Sequence, residues 1–201
     1  MHIIGAGGHA KVIIDILLAS NEEIKGLWDE NPTIKAVLNQ SVVGNFAAIK
    51  ASNAQPVIIA IGNNLIRKKI AEELTVKFGI AIHPKSAISL SSRLGDGTVV
   101  MANASINADV HIGKHVIINT NASIDHDCEI GDFVHLSPQV GLGGNVHVGE
   151  GTHVGIGASV KQGIKIGKWA TIGAGAVVIR DIPDYAVAVG NPTKVIKYNI
   201  L

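Results

Sequence analysis

The chain has 201 residues, a formal net charge of +1, 47% hydrophobic residues and only 3% aromatic ones. A near-neutral charge without runs of one sign excludes a general affinity for nucleic acid, and the lack of any 18-residue apolar segment excludes a membrane-spanning helix. A single cysteine, Cys128, excludes an internal disulfide and fits a reducing compartment, so a cytoplasmic protein is expected.

Met1 leads straight into a short strand, 2–4, with no basic leader, so no secretory signal is expected. Gly5-Ala6-Gly7-Gly8-His9-Ala10 makes a turn. A helix over 11–19 follows, with Val12, Ile13, Ile16 and Leu17 on one face. Strand, glycine turn and helix open a doubly wound α/β unit. A second strand over 24–29 ends on Asp29-Glu30, about twenty residues past the glycines. Residues 42–44 are a weak strand, 46–51 a short helix, and 56–62 a buried parallel strand. Asn63-Asn64 caps a helix over 65–78, on which Arg67-Lys68-Lys69 forms a solvated face; 80–82 is the last strand. His83-Pro84 breaks the pattern, which divides the chain into 1–83, a Rossmann-like half domain, and 84–201. Gly5-x-Gly7-x-x-Ala10 with Asp29-Glu30 matches the spacing of a nicotinamide dinucleotide fingerprint. Only one mononucleotide half is present, so a nucleotide-linked ligand on the glycine turn and helix N-terminus is the more economical reading.

The second part is organised by a period of six. Counted from Ile88, fifteen consecutive hexads carry Ile, Leu or Val at the first position, ending at Ile172. The fifth position is small or compact throughout, and glycine takes the second position in eight of the fifteen. Positions five and one point to the same side of a short strand, and positions three and four turn a corner. Three such sides close a coil of eighteen residues, so fifteen hexads make five coils of a parallel β-helix with an aliphatic interior. Glycine and asparagine at the second position are expected to suit strained corner backbone. Cys128, at a fifth position, belongs to the core. The alternating run 185–189 is expected to cap the last coil.

Eighteen residues is also a ruler for what points outward. His126, at a third position, has Gly144 one coil above it, which leaves room beside an outward imidazole. His135 is at an outward sixth position with His153 above it, and His111, Glu129, His147 and Lys165 share another column. Stacked histidines can hold zinc between coils or subunits, so a zinc-dependent, carbonic anhydrase-like trimer is the rival from a different class.

The hexads, with 189–196 (Val-Gly-Asn-Pro-Thr-Lys-Val-Ile), resemble the left-handed β-helix (hexapeptide-repeat) acyltransferases. Gly5-Ala6-Gly7-Gly8-His9, Ala60-Ile61-Gly62-Asn63-Asn64-x-Ile66-Arg67 and Ser123-Ile124-Asp125-His126-Asp127-Cys128 narrow the resemblance. They are similar to the nucleotide-sugar N-acetyltransferases of the bacillosamine pathway (PglD-like) and their sialic acid O-acetyltransferase and perosamine N-acetyltransferase relatives. The resemblance implies a left-handed helix and a homotrimer with acetyl-CoA in the groove between neighbouring subunits. It implies His126 as general base assisted by Asp127, where the family often has Glu, and no metal. It implies acetyl-CoA contacts at His135, Gly144, Ile156, Ala174 and Asn119. It implies sugar-nucleotide contacts at Gly7, Gly8, His9, Asp29, Glu30, Gly62 and Asn63. The activity implied is acetylation of the 4-amino group of a UDP-4-amino-4,6-dideoxy sugar. Sialic acid O-acetylation and GDP-perosamine N-acetylation are the nearest alternatives.

The chemistry needs such residues. An amine attacks a thioester only when neutral, and a histidine, with a reference pKa near 6.5, can take the proton. A neighbouring carboxylate orients the ring and favours the imidazolium. Backbone N–H groups at Gly143-Gly144 can meet the oxyanion.

Overall fold

A computed structural model describes residues 1–200. The N-terminal unit comprises β1 (His2–Ile4), α1 (Gly8–Ala19), β2 (Gly26–Trp28), β3 (Ala36–Val37), β4 (Gln40–Gly44), α2 (Phe46–Ala51), β5 (Val57–Ile59) and α3 (Asn64–Glu73). The sheet order is β3-β4-β2-β1-β5, with β1 parallel to both β2 and β5. Helix α1 begins three residues before the expected 11–19, because its buried stripe is Ala10, Ile13, Ile14 and Leu17. Seating Ala10 in the core draws His9 into the first helical turn. Helix α3 ends earlier than 78: β-branched Thr75 and Val76 follow it, and Phe78 bridges to Val57 instead.

The rest of the chain is a parallel β-helix. Seventeen two-residue strands follow one another at six-residue steps, from β6 (Ala81–Ile82) to β22 (Val177–Val178). Each pairs with the strand eighteen residues away, as in His111↔Glu129 and His135↔His153. Three faces result. The first carries β6, β9, β12, β15, β18 and β21; the second β7, β10, β13, β16, β19 and β22; the third β8, β11, β14, β17 and β20. The first- and fifth-position residues fill one continuous core, with Val100, Val110, Ile118 and Leu136 fully buried. Cys128 lies in that core. Strand β23 (Ala186–Val189) caps the first face, and β24 (Lys194–Tyr198) pairs antiparallel to it. Among the described residues no helix is long and apolar enough to cross a membrane.

Two expectations are corrected. Residues 80–82 are not the last strand of the α/β unit: Ala81–Ile82 pairs with Val99–Val100 as the first rung of the β-helix, and Ile82 stands one hexad before Ile88, in register. The strained corner backbone is at the fourth position, not the second. Asn103, Asp109, His115, Asn121, Asp127, Phe133, Gln139 and Asn145 all have φ between 54° and 61°. Second-position glycines serve closeness between coils. A Cβ on Gly131 would lie 2.7 Å from Glu150 N and 3.1 Å from its Cα, both backbone. One on Gly141, in a strand, would meet only Ser123 Oγ at 3.7 Å. Gly131→Ala is therefore expected to cost about 1–3 kcal/mol, as overpacking does, and Gly141→Ala less than about 0.5 kcal/mol. Equal midpoints for the two variants in urea unfolding would refute the close-stacking account.

The α/β unit sits on the first face. Val99, Met101 and Ile117 of the β-helix share a buried core with Ile3, Ala6, Ile13 and Leu17. Phe133, on the edge between third and first faces, joins Ile49, Ile59 and Leu74.

Candidate functional site

The corner after β13 (Ser123–Ile124) places Asp125, His126 and Asp127 on the edge between the second and third faces. Asp127 takes the left-handed fourth position, φ 60°. This turns its carboxylate back onto the preceding ring: His126 Nδ1 lies 2.7 Å from Asp127 Oδ2. The shorter acid thus reaches the imidazole directly. Asp125 Oδ1 accepts from the His126 backbone N–H at 2.9 Å and from Asn107 Nδ2 at 2.8 Å. The hydrogen bond to Asp127, and then the charge of Asp125, raise the His126 pKa above its ordinary value. The ring stays accessible, at 59% exposure.

Gly144 lies directly over that ring, as the eighteen-residue ruler requires. A Cβ there would sit 2.6 Å from His126 Cε1 and 2.7 Å from Nε2. The room left by the glycine is thus filled by the imidazole itself. Gly143 donates its N–H to Val160 O, whereas the Gly144 N–H has no partner among the described residues. Surface grooves of about 550 and 480 Å³ run below and above His126, past Asn107 and past Gly143-Gly144.

The expected acetyl-CoA residues fall on more than one edge. Asn119, Ile156 and Ala174 line the edge between first and second faces, where Gly175 N–H donates to Ile156 O at 2.8 Å. Ile156 is exposed at 51%. His135 is on the first face, its Nε2 3.2 Å from Asn119 Nδ2. It stacks on His153 at 4.9 Å and 18°, and His153 Nε2 meets Ser137 Oγ at 2.8 Å. Burial, and then His153 and Arg67, push the His135 pKa down to about 3.

The expected sugar-nucleotide residues follow the C-terminal ends of β1, β2 and β5, and the acids and the Gly62-Asn63 pair line two separate openings. A Cβ on Gly7, Gly8 or Gly62 would meet nothing within 4 Å, so all three face free space. Asp29 accepts from Ala6 N–H at 2.7 Å and from Asn31 N–H at 2.8 Å. Glu30 accepts from Phe46 N–H at 2.6 Å. Both acids border a cavity of about 360 Å³ with Gly5, Trp28 and Phe46. Asn63 caps α3 by accepting from Ile66 N–H at 3.0 Å, and with Gly62 it borders a cleft of about 330 Å³ against His153 and Trp169. His9 is nearly enclosed, its Nε2 without a partner, and burial followed by Arg67 lowers its pKa to about 4.

Arg67 is the residue that sequence reading misplaced. It is 1% exposed, not part of a solvated face. Its guanidinium donates to Ile61 O, Gly62 O and Asn64 Oδ1 in the α/β unit, and to His115 O and Phe133 O in the β-helix. Lys68 beside it pairs with Glu150 of the β-helix. The signal was present in the sequence: Asn64, Arg67, Ala71 and Leu74 recur at helical spacing, and the last two are buried.

The histidine column of the third face contains one close contact, His111 Nδ1 to Glu129 Oε1 at 3.0 Å. Among the described residues, no three His, Cys, Asp or Glu side chains come together as ligands for a metal.

Comparison with known proteins gives two family matches: the PglD N-terminal domain over residues 1–74, and the bacterial transferase hexapeptide (six repeats) over 91–126, 109–144 and 145–180. Among solved structures, the chain is similar to PerB, the perosamine N-acetyltransferase of Caulobacter crescentus, in complex with CoA and GDP-perosamine. Identity is 42%, over 96% of this chain and 95% of that one, with a TM-score of 0.90. It is similar to the acetyltransferase domain of PglB from Neisseria gonorrhoeae FA1090, in complex with acetyl coenzyme A: 37% identity, 97% and 98% coverage, TM-score 0.91. It is 43% identical over 108 residues to UDP-N-acetylbacillosamine N-acetyltransferase of Bacillus subtilis (strain 168), over 50% of each chain. It is also 35% identical to uncharacterized protein L142 of Acanthamoeba polyphaga mimivirus over 22% of that protein. The chain thus spans half or less of the length of these two curated relatives.

Proposed function

Since the chain belongs to the hexapeptide-repeat nucleotide-sugar N-acetyltransferases with a PglD-type N-terminal domain, we propose that it transfers acetyl from acetyl-CoA to the amino group of a nucleotide-linked amino sugar. The observation that carries this reading is the exposed His126–Asp127 pair, 2.7 Å apart under Gly144. In the proposed reaction the sugar nitrogen attacks the thioester carbonyl and passes its proton to His126 Nε2. Nδ1 is held by Asp127, which favours the imidazolium that forms. The unpartnered Gly144 N–H is proposed as one donor to the oxyanion. Collapse of the adduct releases CoA thiolate, which takes up a proton. No acyl-enzyme is needed, so Cys128 stays in the core.

One chain does not assemble all of this. His126 and Gly144 are on the edge between second and third faces, whereas Asn119, Ile156 and Ala174, proposed for acetyl-CoA, are on the edge between first and second. The α/β unit covers the first face and its edge with the third. We therefore propose a homotrimer in which the groove between neighbours joins His126 of one copy to the cofactor edge of the next. As in the family, the sugar nucleotide is proposed to lie against Gly7, Gly8, His9, Asp29, Glu30, Gly62 and Asn63.

The substrate proposed is a UDP-4-amino-4,6-dideoxy sugar. GDP-perosamine is the second reading, favoured by the likeness to PerB across nearly the whole chain. Thiol release from acetyl-CoA, measured against UDP-, GDP- and dTDP-linked 4-amino sugars and sialic acid, tests both. Release with a UDP or GDP amino sugar is expected. Release with sialic acid alone would overturn N-acetylation.

A further inference from the structure

The side-chain amide of Asn119 has one orientation. Its Oδ1 accepts from the Thr120 backbone N–H at 2.9 Å, and a backbone N–H can only donate. The other end of the amide, Nδ2, also only donates, and it lies 3.2 Å from His135 Nε2. A ring nitrogen that receives an N–H presents a lone pair, so the proton of a neutral His135 is on Nδ1. We propose that Asn119 holds His135 as the neutral Nδ1–H tautomer. His135 then acts as a positioning residue for the Asn119 amide, and the remaining Nδ2 proton of Asn119 is the donor offered to the acyl oxygen of the bound thioester.

The surroundings favour a neutral ring. His135 lies parallel to His153 at 4.9 Å, so a charge on one opposes a charge on the other. His153 is itself held by Ser137 Oγ at 2.8 Å. Arg67 adds positive charge from the α/β side, and the Gly62 backbone is the one hydrogen-bonding influence in the opposite sense. Among the described residues no carboxylate acts on this ring. Asn119 is half-buried on the edge that carries Ile156 and Ala174, and its second Nδ2 proton has no partner among the described residues. A role for His135 as donor through Nε2 is incompatible with this arrangement. The tautomer stands on the hydrogen bonds alone; the role toward the thioester rests on the acetyl-transfer reading.

The test is a long-range ¹H–¹⁵N spectrum of the full chain with labelled histidine at pH 7, the His135 signals being those lost in His135→Gln. The Nδ1–H pattern is expected in the wild type. In Asn119→Asp, where a carboxylate replaces the donor, the proton is expected on Nε2. A wild-type ring protonated at Nε2, or a tautomer unchanged in Asn119→Asp, overturns the assignment. In the same variant the acetyl-CoA KM is expected to rise by about tenfold, the loss of one useful hydrogen bond, with the sugar-nucleotide KM unchanged. An unchanged acetyl-CoA KM overturns the donor role. A wild-type chain inactive on every nucleotide amino sugar overturns the acetyl-transfer reading and the donor role with it, and the spectra decide the tautomer separately.

Discussion

His126→Ala is expected to lower kcat by about 10²–10⁴-fold, the usual contribution of a positioned general base. Binding of both substrates should change little, because the ring sits at the rim of an open groove and carries none of the fold's core. Asp127→Asn separates the two parts of the pair. Asp127 is the larger cause of the raised His126 pKa, so its loss brings that pKa down. The basic form is the active one, and kcat/KM rises with pH as His126 loses its proton. In wild type this rise is centred above the ordinary histidine value of about 6.5; in Asp127→Asn it moves to lower pH. A weaker base with a lower plateau is the expected cost. Near-normal turnover in His126→Ala would sink the base assignment. An acid limb that stays in place in Asp127→Asn would show that another group titrates there.

The second large effect is on the joint between the two units. Arg67→Met removes donors from Ile61 O, Gly62 O, Asn64 Oδ1, His115 O and Phe133 O at once. Breaking a buried charged network costs about 3–5 kcal/mol. Three of the oxygens lie on one side of the joint and two on the other, so the loss should appear as separation of the units. The two tryptophans report on this independently, Trp28 from the α/β unit and Trp169 from the β-helix. In denaturant the Trp28 transition of Arg67→Met should move to lower concentration, ahead of Trp169. Arg67→Lys should recover only part of the loss, because an ammonium lacks the planar five-donor fork. Coincident transitions at the wild-type midpoint in Arg67→Met would remove Arg67 from this role.

The β-helix was legible because its contacts lie at fixed sequence separations. A period of six with aliphatic first positions specifies which residues face inward. A coil of eighteen then specifies which residues are vertical neighbours. That is why the stacking of Gly144 over His126, and of His153 over His135, follows from spacing alone. The backbone detail was less legible: glycine is compatible with both a left-handed corner and a close coil-to-coil contact, and only the torsions distinguish them. The α/β unit was legible at the level of strands and helices, with ends displaced by a buried neighbour at Ala10 and by the β-branched pair Thr75-Val76 after α3.

Docking has no period. Whether Arg67 faces water or five oxygens depends on how a separate rigid body sits on the first face, and residues 67, 115 and 133 share no repeat that would announce it. The same docking enclosed His9 and His135 and lowered their pKa values, while His126, on the edge away from the α/β unit, kept its exposure and gained basicity from Asp127. The sequence by itself therefore determined the coil, its core and the stacking of the proposed base, because those follow from spacing. Only the tertiary structure decided which edges the proposed substrates can reach and which histidines are neutral, because those follow from where one folded unit covers the other.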